Sequence, residues 1–135
     1  VSTSPVPAGA ASKGLFSAAW LDEKTLLTVG GDYKLPALEG VKAALSSDVG
    51  AHWTAISAAP GFLSSVVRGR YDRGLLVPAS DAALVAVGLA GTGVSNHEGK
   101  TWKTLDSTPY NTAGFAKGAG WAVGPKGTIA RWARP

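Results

Sequence analysis

The chain has no cysteine in its 135 residues, which excludes disulfides, thiol nucleophiles and cysteine-ligated metal centres. Methionine is absent too, position 1 included, so the expectation is a processed mature form or a segment cut from a longer chain. Charged residues make up only 16% of the sequence. No apolar run approaches the ~20 residues that a membrane-spanning helix needs, and no signal-peptide pattern is present, so the chain as given reads as soluble.

What is plentiful is punctuation. There are 18 glycines and 8 prolines in a chain that is 45% hydrophobic, and they break the apolar stretches into short pieces. Glycine and proline are costly inside helices and useful in tight turns, so this profile predicts an all-β domain. The length suffices for one domain with a real core.

The net charge of +4 is uneven: residues 98–135 hold six basic residues against two acidic ones, and the remainder is balanced at seven each. A basic end suits an acidic protein surface or anionic lipid, whereas strand-edge lysines that discourage edge pairing explain the same surplus. No aromatic-interleaved basic run is present, so nucleic acid is not expected as a partner.

Residues 1–13, rich in Pro, Ser, Ala and Gly, read as an extended lead-in that packs little, with the fold beginning near Leu15. Residues 14–135 fall into units at about 14–57, 61–106 and 110–132. Each has a Phe-containing first strand and an apolar second strand ending in Val-Gly, at 29–30, 87–88 and 123–124. A third strand, a turn and a fourth strand carrying Trp53, Trp102 or Trp132 are expected to follow. Serial units of four short strands are the pattern of β-propeller blades. The segments "DYKLPALEG" and "RYDRGLLVPASDA" read as variable insertions.

"SSDVGAHW" (Ser46 to Trp53) recurs 49 residues later as "SNHEGKTW" (Ser95 to Trp102). Ser-x-Asp-x-Gly-x-x-Trp fits an Asp-box turn between the third and fourth strands of a blade. Asp48 is expected to accept turn N–H groups, Gly50 to supply a positive φ, and Trp53 to pack between blades. In the second copy Ser95, Gly99 and Trp102 keep their places while His97 replaces the aspartate, with a ring acceptor as the expected, pH-sensitive substitute.

Other chemistries fit poorly. A calcium loop needs more oxygen ligands than "SSDVGAHW" offers, and a His52–His97 metal pair lacks a third ligand. "GPKGT" lacks the full phosphate-loop spacing, and neither histidine follows a nucleophile elbow. No metal, cofactor or catalytic residue is expected.

The two motifs and the ending "GWAVGPKGTIARW" resemble the bacterial-neuraminidase-repeat superfamily of propellers. With "GLFSAAW" and "TVGGDY", they look more closely like the C-terminal part of photosystem II stability/assembly factor-like propellers, over about residues 5–133. The resemblance implies a non-catalytic protein-binding platform, exported or membrane-associated, with an assembly role. The sialidases of the same superfamily need three convergent arginines, a Tyr–Glu nucleophile pair and an acidic proton donor. Arg68, Arg70, Arg73, Arg131 and Arg134, with Tyr33, Tyr71, Tyr110, Glu23, Glu39 and Glu98, have no such setting, so glycosidase activity is not expected. A fragment of a carbohydrate-active or carbohydrate-binding propeller is the alternative.

A propeller closes with about 4–8 blades, and this chain offers about two and a half. An open arc exposes apolar faces and strand edges, so completion by missing blades, by self-association or by a partner is expected, unless the units pack as a sandwich. Tyr33, Lys34, Arg70, Tyr71 and Arg73, in segments that read as loops, are the residues nominated for partner contact.

Overall fold

The computed structural model describes residues 3–57, 61–79, 83–116 and 118–133. The described residues form an all-β structure of three antiparallel sheets. The first sheet is a meander of β1 (Lys13–Trp20), β2 (Leu26–Asp32), β3 (Ala43–Ser46) and β4 (Thr54–Ile56). The second contains β5 (Ser65–Asp72), β6 (Leu75–Pro78), β7 (Leu84–Gly88), β8 (Gly91–Ser95) and β9 (Lys103–Asp106), in the order β6-β5-β7-β8-β9. The third consists of β10 (Thr112–Ala116), β11 (Ala119–Val123) and β12 (Ile129–Ala133). These are blade-like units of an incomplete propeller, and no sheet closes on itself among the described residues.

The middle sheet is buried on both faces, since β7 and β8 have no exposed residue. Leu27, Val29, Ala43 and Ile56 of the first sheet pack on Leu63, Val66, Leu84 and Ala86. On the opposite face, Val85, Val87 and Val94 pack on Phe115, Ala122 and Trp132. Burying each large aliphatic side chain contributes roughly 1.5–3 kcal/mol, so the contacts between sheets dominate the fold.

The recurring Val-Gly has a packing cause. A Cβ on Gly30 would stand 1.9 Å from the Gly14 carbonyl oxygen, one on Gly88 1.8 Å from that of Phe62, and one on Gly124 2.4 Å from that of Pro109. In each unit the glycine lies where the chain enters the first strand, backbone against backbone. The carbonyls of Gly30 and Gly88 then accept the N–H groups of Leu63 and Tyr110, both at 3.0 Å, linking each sheet to the next.

Three expectations need correction. Trp132 does not lie on a fourth strand: it is in β12, the third strand of its sheet, paired with Gly120. Gly120 corresponds to Leu26 and Leu84, which pair with Ser46 and Ser95, so Trp132 takes the place of the turn serines and not of Trp53 or Trp102. The segment after Arg70 is no irregular insertion, because β5 runs on to Asp72 and returns as β6 through a two-residue turn at Arg73 and Gly74. Both turn residues have positive φ, 50° and 86°, the hairpin turn whose twist matches paired strands. The lead-in also packs more than expected: Val6 and Ser12 are buried, the Ser12 carbonyl accepts the Tyr33 N–H at 3.2 Å, and β1 starts at Lys13 instead of Leu15.

Candidate functional site

The two turns of the repeated motif share one geometry. Ser46 ends β3, and its Oγ accepts the N–H groups of Asp48 at 3.3 Å and Gly50 at 2.9 Å. Ser95 ends β8, and its Oγ accepts those of His97 at 3.2 Å and Gly99 at 3.0 Å. Gly50 and Gly99 have φ of 83° and 76°, preceded by Val49 at 59° and Glu98 at 55°. Such a left-handed pair reverses the chain sharply and is cheap for glycine only. The Trp102 indole N–H donates to the Gly99 carbonyl at 2.7 Å, and its ring packs beside the core between the first two sheets.

Asp48 accepts a turn N–H group as expected, that of His52 at the end of the turn. The serine, not Asp48, holds the first turn N–H groups; Asp48 holds the end of the turn. Its Oδ1 accepts the His52 N–H at 2.9 Å and the Ser46 hydroxyl at 2.8 Å, while Oδ2 lies 2.6 Å from His52 Nδ1. The His52 N–H, then its ring, then the Ser46 hydroxyl pull the Asp48 carboxyl down to about 2. In the second turn the His97 ring takes no part in the hydrogen bonds that close it, so the expected ring acceptor is not used.

The five residues nominated for partner contact form two groups at opposite ends of the strands. Tyr33 and Lys34 follow β2, beside the start of β1, where Tyr33 meets Phe16 and Phe62 edge to face. The Lys34 N–H donates to Asp32 Oδ1 at 3.0 Å. Arg70 and Tyr71 are strand residues of β5 and Arg73 is in the hairpin turn, beyond the far end of the first strands, where Arg68 Nη2 donates to the Leu21 carbonyl at 2.7 Å. Tyr71 shares a cleft of about 290 Å³ with Val94, Asn96, Trp102 and Lys103, so the hairpin brings Tyr71 beside the second turn.

A larger open cleft, about 610 Å³, is lined by Glu39, Lys42, Ser57, Gly61, Ala90 and Thr104. Burial lowers the pKa of the Lys42 amine there, opposed by Glu39. Among the described residues no three His, Asp or Glu side chains gather as a metal site, and no helix is long and apolar enough to cross a membrane.

The residues missed by sequence reasoning are on the outer faces of the two terminal sheets. Trp20 and Leu15 are exposed on the first sheet, and Trp121, Val123 and Ile129 on the third. Arg131 Cζ lies 5.4 Å from the Trp121 ring centroid, a cation–π contact on an open face. Along β11 and β12 the exposed Trp121, Val123, Ile129 and Arg131 alternate with the more buried Ala122, Ala130 and Trp132, an alternation of exposure that the largely apolar sequence does not show.

No protein-family model, curated protein or solved structure matches this chain. The fold therefore defines its class on geometry alone: an all-β protein of three blade-like sheets whose first and last sheets each present an apolar face.

Proposed function

We propose that the chain is a non-catalytic protein-interaction and assembly subunit, built from propeller blades of the Asp-box kind and completed by further polypeptide. The observation that carries this reading is the pair of terminal faces with Trp20 and Trp121 half exposed. Large aromatics on a contiguous apolar face mark sites of protein association. The polar groups of the repeated turns support it as well, because the Ser46, Asp48 and Ser95 side chains are engaged in holding their own turns. In this reading the partner is protein and not nucleic acid, no cofactor takes part, and the setting is exported or membrane-associated, as the resemblance implies. The hairpin with Arg70, Tyr71 and Arg73, and separately Tyr33 with Lys34, supply polar rims.

Photo-crosslinking tests the reading. A photoreactive residue at position 20 or 121, in the chain expressed in its native host, should form adducts with polypeptide, and one at the exposed turn position 97 should not. Equal labelling from all three positions, or adducts from none, would falsify it.

A further inference from the structure

The three sheets repeat one interface, and its two unmatched halves are at the two ends of the chain. Pairing registers align the units: Val29 opposite Ser17, Val87 opposite Ser65 and Val123 opposite Thr112. The positions two residues earlier are Leu27, Val85 and Trp121. In the first two sheets these positions face the following sheet and are sealed by it, with Leu27, Val29, Val85 and Val87 all at 0% exposure. In the third sheet the same positions hold Trp121 at 48% and Val123 at 42%. Ile129, paired with Val123 as Thr92 is with Val87, is 69% exposed where Thr92 is 1%.

The opposite half is open on the first sheet. Leu63 and Tyr110, which follow the carbonyls that crowd Gly88 and Gly124, are buried against the preceding sheet at 1% and 6%. Their counterpart is Leu15, which follows the carbonyl that crowds Gly30 and is exposed, as Trp20 is at the end of the same strand. The hydrogen bonds repeat with the packing. Ser17 Oγ accepts the Val66 N–H at 3.1 Å, and Ser65 Oγ accepts the Ala113 N–H at 3.5 Å.

We infer that the outer face of the third sheet binds the outer face of the first sheet in a second copy of this chain, head to tail, and that two copies close a six-sheet ring. This rests on the reading that further polypeptide completes the fold, and it names that polypeptide. Three arguments select a second copy. The exposed positions continue the interface that already joins sheet one to two and two to three, so the missing surface has the form of a first-sheet face, which this chain itself provides. Charge agrees in sign: residues 110–132 carry three basic and no acidic residues, and residues 13–57, from the start of β1, carry five acidic and four basic ones. Number agrees too, because twice three sheets lies within the roughly 4–8 blades that close a propeller and three times three does not. A head-to-tail contact that closes after two copies is a finite assembly.

The test is solution mass with face-specific variants of the full chain. The wild type should sediment at about 27 kDa, twice 13.6 kDa. Trp20→Asp and Trp121→Asp should each be monomeric, since each spoils one half of both interfaces. Mixed together they should recover a dimer, because the intact third sheet of Trp20→Asp meets the intact first sheet of Trp121→Asp. That recovery also shows that both variants fold. A Trp20→Asp protein that stays dimeric while Trp121→Asp does not, without recovery on mixing, would establish face-to-face pairing of third sheets and overturn the ring. A wild-type monomer overturns self-completion, and crosslinks from position 121 to a different protein would then leave the broader reading standing. A wild-type monomer without crosslinks from positions 20 and 121 rejects both.

Discussion

The backbone of Gly88 lies against the carbonyl of Phe62 so closely that a Cβ at position 88 would stand 1.8 Å from that oxygen and 2.9 Å from the Leu63 Cα. The atoms it meets are main chain, and Leu63 is itself held by its N–H to the Gly30 carbonyl at 3.0 Å. Neither side can yield without separating the first sheet from the second. Gly88→Ala should therefore cost more than about 3 kcal/mol, above ordinary overpacking. Gly114→Ala, where a Cβ meets nothing within 4 Å, is the control and should change stability by less than about 1 kcal/mol. Urea unfolding of both variants checks the contrast.

Ser46 and Ser95 are nearly fully buried, and each hydroxyl holds two N–H groups of its turn. Replacing either with alanine leaves those donors without their acceptor, at about 1–3 kcal/mol. Ser95→Ala should cost the more of the two, because the turn it closes lies against the first sheet: a Cβ on Gly99 would come within 2.8 Å of the Leu27 side chain. Thermal unfolding of the two variants side by side should rank them in that order; equal midpoints would place the Ser95 turn outside the core contact.

How much of this was legible in the sequence depends on whether a residue's role is local. Sheet class, the Val-Gly recurrence and the spacing of the two turns follow from short-range pattern, and the structure supplies their cause in backbone crowding at Gly30, Gly88 and Gly124. Residue type alone gives Trp132 the place of Trp53 and Trp102, whereas pairing register puts it where Ser46 and Ser95 stand. The β5–β6 hairpin was missed because Pro78 and the arginines obscured two alternating stretches joined at Arg73 and Gly74. The exposure of Trp20 and Trp121 was not legible at all. Whether an apolar side chain is core or surface depends here on whether another sheet follows, which is a property of the stack.

Asp48 links stability to pH in a defined window. Its carboxyl, at about 2 in the folded chain, has an ordinary value of ~3.9 when unfolded. The folded state therefore binds that proton less readily, and the carboxylate's contribution is full above about pH 4 and lost as pH falls through about 2. Asp48→Asn should unfold more easily than the wild type at pH 7, and the difference should close between about pH 4 and 2. Denaturant midpoints measured from pH 7 to 2 read this directly. A gap that persists unchanged at pH 2 would mean that the side chain acts through its shape and not its charge.

His97 occupies the aspartate's place in a turn that Ser95 already closes, and its ring does none of the holding. A carboxylate there would have the counterpart of Asp48's task, accepting the N–H of residue 101 as Asp48 accepts that of His52 at 2.9 Å. His97→Asp should thus match or exceed the wild type in stability at pH 7, by up to about 1 kcal/mol. It should also acquire an acid-dependent component between about pH 4 and 2 that the second turn now lacks. The double variant Asp48→Asn with His97→Asp separates the turns, because any acid-linked loss it shows in that window beyond Asp48→Asn alone comes from position 97. A destabilisation of more than about 1 kcal/mol at pH 7 would instead show that His97 makes a contact of its own, outside the turn.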